Sequence, residues 1–423
     1  MSTLSRRTLL GLGAAAAAAI TIPGCSGKSG PMRVSWYGPD PVTKALNQAL
    51  AAWKSSGGAE YTSESAPFDD YWDKLATQTS GNNAPDVLRM SMSYFADFAQ
   101  RGTLLDLTDK VGAAIKTGDL DKDVASSGKI ADGLYGIGQS SISHTVFTHP
   151  TAWEKAGVDA PPADWTWDSF ADWVSGYATE AGPGNFGSTD AGGNMQTFET
   201  FARQHGTDLF STDGTTLSVG VDVVEEWFAY WDKLRKAKAA PPLQMTTEST
   251  DFETSLLTKG KSPLTFGWVQ QITFYAPLID TPLEIASMPS TTAGSVAGQF
   301  IKALDFWSVS SQSKNIDAAV DLINYLVNDP AAIKAIGLSL GVPPSAVGRK
   351  ELASDPQSPE GKAIAYIERI KDEVGPPPAA WPKGYGDLLE TFTRLNQDVG
   401  FGKSDPAKAA AAFAEEAKKS LAG

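Results

Sequence analysis

The chain has 423 residues, 42% hydrophobic and 20% charged, enough for a sizeable core in two or three domains or one large two-lobed unit. Its net charge of -14 repels nucleic-acid phosphates and anionic lipid headgroups, which argues against both as partners. One cysteine, Cys25, excludes an intramolecular disulfide and a cysteine-based zinc site, and three scattered histidines (His144, His149, His205) form no ligand set, so no metal or cofactor is expected.

In chain order, Arg6 and Arg7 precede Leu9–Ile22, an apolar, Ala-rich run shorter than the roughly 17–25 residues that span a bilayer. A charged start, a short apolar run and small residues near a cleavage point describe a secretory signal. Ser5-Arg6-Arg7-Thr8-Leu9-Leu10 resembles a twin-arginine export signal. Ile22-Pro23-Gly24-Cys25 resembles a bacterial lipobox, in which the cysteine is lipidated and becomes the new first residue. On this basis residues 1–24 are a signal peptide, Cys25 is the lipidation site and residues 25–31 are a tether. The mature chain is then anchored to the outside of a bacterial membrane by lipid alone. The bland alternative is a signal cleaved nearby with Cys25 an incidental thiol.

Met32–Tyr37 reads as a strand. Asp40-Pro41 opens a helix whose apolar face is Val42, Leu46, Ala49, Leu50 and Trp53 at helical spacing. Glu60–Ser65 is the next strand, followed by a helix through Tyr71, Trp72 and Leu75. Val87–Met90 is a third strand, and Tyr94–Gln100 a helix stopped by Gly102. This alternation predicts an α/β lobe with a mostly parallel sheet. Leu134–Val146 is extended, and residues 181–194 form a Gly-rich loop. Val221–Lys236 is a helix burying Val224, Phe228, Trp231 and Leu234. Pro263–Phe266 and Leu283–Met288 are strands. Lys314–Pro330, Asp387–Val399 and Pro406–Leu421 are helices.

Several of these pieces, in this order, resemble the extracellular solute-binding proteins of bacterial ABC importers, in the carbohydrate-binding group related to maltose-binding protein. The stretches are APDVLRMSMSYFADFAQRGTLLDLT (Ala84–Thr108), GLYGIGQSSISHTVFTHPTAWEKAGVDAPPADWTWDSFADW (Gly133–Trp173), LTFGWVQQ (Leu264–Gln271) and the segment Asp305–Leu352. The resemblance implies an α/β, two-lobed periplasmic-binding-protein-like clamp with a ligand cleft between lobes. It places residues 32–143 and 290–343 in the first lobe and 144–289 and 344–423 in the second. The crossings are expected near Ser143–Phe147, Ser287–Ser290 and Gly341–Ser345. It further implies a carbohydrate ligand, an ABC permease as partner, a monomer and closure by hinge motion.

Sugars are held by flat aromatic faces and by polar side chains that fork onto hydroxyls. The loop after the third strand supplies Arg89, Met90, Ser91, Ser93 and Tyr94. The maltose-binding relative holds Trp, Asp and Arg at the positions of Met90, Ser93 and Tyr94, which argues against a maltodextrin. Trp36 and Tyr37 end the first strand, where open α/β sheets bind ligands. The resemblance maps Trp268 onto a sugar-stacking position. Trp307, Gln139, Asn194, Trp381, Tyr385 and Asp69 complete the candidates. For each the blander alternative is packing, or for Asp69 a helix N-terminal charge.

Two rivals stand beside this reading. One is a binding protein for a peptide, polyamine or glycerophosphodiester. The other is a secreted glycoside hydrolase, which needs two carboxylates about 5–10 Å apart, and no motif selects such a pair. No G-x-S-x-G, HExxH or phosphate loop is present, so no enzyme activity is expected.

Overall fold

Met32, Val34 and Trp36 alternate along the first strand and all bury on one face, as the two-residue period of a strand demands. The computed structural model describes residues 30–353 and 355–422, so Cys25 and the signal lie outside the described residues. Ten strands follow in chain order: β1 (Met32–Tyr37), β2 (Tyr61–Ala66), β3 (Val87–Ser91), β4 (Lys129–Ile130), β5 (Gly133–Leu134), β6 (Ile137–Gly138), β7 (His144–Thr148), β8 (Leu264–Trp268), β9 (Glu284–Ala286) and β10 (Asp305–Val309).

The first lobe is built on a five-stranded sheet, β2-β1-β3-β10-β6. β1 runs parallel to β2 and β3, but β10 is antiparallel to β3 and β6. The sheet is therefore mixed rather than mostly parallel, because β10 returns from the other lobe instead of through a local crossover helix. The second lobe carries the antiparallel sheet β8-β7-β9. Helices Asp40–Ser55, Ile316–Asn328 and Pro330–Ile336 pack together on the first sheet, burying Leu46, Leu50, Ile323 and Ile336 with Trp36 and Trp307. Helices Val221–Lys236, Tyr385–Gly400 and Pro406–Leu421 pack together in the second lobe. There Trp167 and Trp227 meet edge to face at 5.5 Å, and Trp231 meets Phe266 at 5.8 Å.

Every tryptophan except Trp173 is buried. The aromatic richness of the chain is thus mostly core. Two helices that the sequence did not single out, Met195–Gln204 and Pro359–Ile370, are capped by Asn194 and Ser358.

Between the sheets, Ser141 pairs with Val342 and Ile142 with Lys302, so three segments run side by side. At the expected crossing Ser287–Ser290, Ser290 pairs with Thr166, and the Trp165 ring N–H donates to the Ser287 carbonyl at 2.9 Å. Among the described residues no helix is long and apolar enough to cross a membrane.

Candidate functional site

The carboxyl end of β1 meets β3 at Tyr37 and Arg89. The buried Arg89 donates through Nη1 to the Tyr37 carbonyl at 2.7 Å and through Nη2 to Asp305 Oδ2 at 2.9 Å. Its guanidinium lies 4.4 Å over the Tyr37 ring. With the Gln139 amide turned to satisfy both partners, its oxygen accepts from Nη2 and Nε, each at 3.1 Å. The Tyr37 hydroxyl donates to Asp305 Oδ1. Burial, and then the Asp305 charge, hold the Tyr37 phenol well above its usual range. Most of the Arg89 donors brace Tyr37, Asp305 and Gln139.

An aromatic wall rises from this edge. Phe68 and Trp72 share one face of helix Phe68–Ser80 at four-residue spacing. The Trp72 ring stacks on Tyr94 at 4.3 Å, and Phe68 meets Tyr37 at 5.0 Å and Tyr94 at 6.0 Å. Phe68 is 39% exposed, unusual for so large an apolar ring. Tyr94 reaches the second lobe: a Cβ built on Gly386 lies 3.3 Å from its ring. A glycine at that helix position lets the two lobes touch. Burial raises the Tyr94 phenol, and the charges of Glu390, Asp69, Asp387 and Asp73 raise it further. The charges that act on this ring are therefore all carboxylates.

In the second lobe, the Trp268 ring meets His144 at 4.0 Å and donates its N–H to Gln196 Oε1 at 3.2 Å. His144 is buried and neither ring nitrogen has a hydrogen-bond partner; burial pushes its pKa down to about 3. Trp381 and Tyr385 stack at 4.1 Å with planes 5° apart. The Trp381 N–H donates to both oxygens of the buried Glu199, at 3.1 and 3.2 Å. Lys302 Nζ lies 4.7 Å over the Trp381 ring and 4.8 Å over Phe300, without a hydrogen-bond partner. Burial lowers Lys302 to about 8, opposed by the Glu199 charge, and burial raises Glu199. Tyr385 covers one face of Trp381, so Lys302 covers the other. Trp381 has no free face on which to stack a sugar.

The structure brings Tyr37, Arg89, Gln139 and Tyr94 together on the first lobe, with Asp69 exposed beside them. It brings Trp268, Trp381 and Tyr385 together on the second, linked through Gln196 and Glu199 on one helix. Other candidates are elsewhere. Trp36 faces the core beneath the sheet and bonds Thr43, because it shares its face with Met32 and Val34. Trp307 packs in the same core. Met90 is buried on the opposite face, opposite Phe306. Ser91 caps the helix Met92–Gln100 by accepting from the Ser93 N–H, and Ser93 is itself buried. Asn194 is an exposed cap that accepts from the Thr197 N–H, beside a cavity of about 280 Å³ lined also by Phe266 and Tyr275. Cys25 lies outside the described residues.

Sequence reasoning missed Phe68, His144, Gln196, Glu199, Lys302 and Asp305. A signal existed for three of them: Lys302 and Asp305 are two charges in the otherwise apolar run QFIKALDFW, and Glu199 lies among Thr and Phe on a helix face. Among the described residues, no group of His, Cys, Asp and Glu is placed to hold a metal ion.

Residues 48–363 match the family model of bacterial extracellular solute-binding proteins. An extracellular solute-binding protein of family 1 from Alicyclobacillus acidocaldarius is 27% identical, over 94% of this chain and 100% of that one, with a TM-score of 0.70. An ABC substrate-binding protein from Listeria monocytogenes, solved with cycloalternan, is 19% identical over 93% and 99%, with a TM-score of 0.79. A periplasmic oligogalacturonide-binding protein from Yersinia enterocolitica, solved with digalacturonic acid, is 20% identical over 92% and 98%, with a TM-score of 0.78. At these identities the last two speak for the two-lobed fold alone.

Proposed function

This chain belongs to the family of bacterial extracellular solute-binding proteins, and from that premise we propose that it captures a carbohydrate outside the cell membrane and hands it to the transmembrane subunits of an ABC importer. The observation that carries this reading is the aromatic wall of Tyr37, Phe68, Trp72 and Tyr94, which meets the second lobe at Gly386. Flat rings suit the C–H faces of a pyranose, and a site with walls on both lobes couples binding to closure. The solved relatives carry cycloalternan and digalacturonic acid, which supports a saccharide here as well. Lobe boundaries at residues 143–144, 289–290 and 343–344, a monomeric state and a lipid anchor on Cys25 belong to the same proposal. The chain binds without turnover.

A polyamine is the second reading, favoured by Asp69, Asp73, Asp387 and Glu390 around Tyr94. A thermal-shift panel of sugars, peptides and polyamines separates the two, since a ligand that prefers the folded form raises its melting temperature. A shift with sugars and no product on prolonged incubation is expected. A shift with amines alone overturns the carbohydrate assignment, and product formation overturns transport. For the anchor, Cys25→Ala releases the protein from membranes with its ligand affinity intact; retention of that variant refutes lipidation.

A further inference from the structure

The three-stranded sheet of the second lobe ends at β9, the outer strand in the order β8-β7-β9. Successive carbonyls of a strand point to opposite sides. The Ala286 carbonyl accepts from the Thr145 hydroxyl of β7, so it points into the sheet. The Leu283 and Ser287 carbonyls point the other way. They accept from Lys362 Nζ and from the Trp165 ring N–H, each at 2.9 Å. Ile285 has their parity, so its N–H and C=O also face away from β7. Among the described residues neither has a partner on that side. A bare main-chain donor and acceptor on an edge strand is a template for a further strand.

Beside this edge lies a groove of about 440 Å³. One wall is the edge itself, Glu284 to Ser287. The other is helix Pro359–Ile370, which presents Lys362, Ala365, Tyr366 and Arg369 at three- and four-residue spacing on one face. Ala365 is small and exposed, which leaves the middle of the groove open. Tyr366 is a buried floor, held by a bond from the Gln299 amide at 2.7 Å and by its own bond to the His144 carbonyl at 3.3 Å. An open edge facing a helix across a groove is the geometry in which extended peptides bind by strand addition. The aromatic wall contributes no residue to this lining.

The two ends of the groove differ in charge. Lys362 is neutralised by Glu284 at 2.7 Å. Arg369 has no carboxylate partner among the described residues, in a chain of net charge -14. Its guanidinium lies 5.0 Å from the Tyr366 ring centre and donates to Ser287 Oγ at 3.1 Å. One end therefore attracts an anion. Ser287 is two residues beyond Ile285, about 6.6 Å along the strand.

We propose that this groove docks an extended segment of a partner protein as a fourth strand: one residue of the segment bonds the Ile285 main chain, and a carboxylate about two residues further on meets Arg369. The occupied carbonyls of Leu283 and Ser287 on either side fix that register.

The test is panning of a phage-displayed random nonapeptide library on the full chain. The peptides recovered carry aspartate or glutamate among β-branched residues. Arg369→Glu reverses the anion-seeking end and Ala365→Trp fills the groove, both at exposed positions. In fluorescence anisotropy, synthetic copies of the recovered peptides bind the parent about tenfold more tightly than either variant, or better, while the three proteins melt alike. The bound peptide also slows hydrogen exchange at the Ile285 amide. Recovery of no peptide, or only of peptides without acidic residues, overturns the proposal. So does an affinity that neither substitution changes, or an Ile285 amide that exchanges as before. A dimer in sedimentation that Arg369→Glu dissolves gives the face to a second copy of the chain and overturns the peptide occupant.

Discussion

Arg349 grips both carboxylate oxygens of Asp121, at 2.9 and 3.1 Å, and so ties the first lobe to the segments that cross between lobes. Its Nε donates to Glu368 at 2.6 Å and its Nη1 to the Pro343 carbonyl at 3.0 Å, while Ser141 donates to Asp121 at 2.7 Å. Arg349 is buried, whereas Asp121 and Glu368 are about a third exposed. Arg349→Met leaves two carboxylates facing each other without their cation. Breaking a buried pair costs roughly 3–5 kcal/mol, and the partial exposure of the acids lowers the expected loss to about 2–3 kcal/mol. Asp121→Asn costs less, because Arg349 keeps Glu368. Urea denaturation of the two variants checks the order; a larger loss for Asp121→Asn contradicts it.

His144 contributes to the acid limb of stability. Its folded pKa of about 3 lies below the ordinary 6.5, so between those values the unfolded chain holds a proton that the folded chain refuses. Its contribution is complete above pH 6.5 and falls as pH drops toward 3, by up to about 1.4 kcal/mol per pH unit. Neither ring nitrogen is bonded, so His144→Phe forfeits no hydrogen bond. The variant is as stable as the parent at pH 7 and more stable at pH 5. Equal acid sensitivity of the two proteins in denaturant titrations contradicts this.

Lys302 acts at the alkaline end. Its folded value of about 8 lies below the ordinary 10.5, so from pH 8 upward the unfolded chain holds more protons and stability rises with pH. Glu199, Arg203 and Asp208 are the charges that act on it. The wild type therefore gains stability between pH 8 and pH 10 relative to Lys302→Met. Parallel stability curves for the two across that window exclude the effect.

The candidates Trp36 and Trp268 separate cleanly. Trp36 is core, so Trp36→Ala costs about 3–5 kcal/mol, as large aromatic truncations do. Ligand affinity measured well below its melting temperature changes little. Trp268 lies beside His144 and Gln196 in the second lobe, and Trp268→Ala weakens ligand binding at least tenfold with a smaller loss of stability. Calorimetry beside thermal melts gives both numbers. Equal effects of the two variants on affinity contradict the separation.

The difference between Trp36 and Tyr37 was readable in principle. Met32, Val34 and Trp36 alternate, so strand parity sends Trp36 to the core and Tyr37 to the other face. The helix Val221–Lys236 was readable for the same kind of reason: a sustained 3.6-residue period leaves one solution. The partners of Arg89 were not. Asp305 is distant in sequence and reaches Arg89 only because β10 returns antiparallel beside β3. Lys302 and Trp381 likewise meet through tertiary packing, and no local pattern encodes that.

Gly386 offers the sharpest test of closure. It is the second residue of helix Tyr385–Gly400, where leucine is a better helix former than glycine by up to about 1 kcal/mol. The obstacle is Tyr94 of the other lobe, already 3.3 Å from a single added carbon. The branched end of a leucine extends well beyond that point and holds the lobes apart. Gly386→Leu therefore keeps or raises the melting temperature of the free protein. It also lowers ligand affinity at least tenfold and gives a larger radius of gyration in solution scattering with saturating ligand. A variant that binds and compacts like the wild type shows that Tyr94 and Gly386 do not form the closing contact.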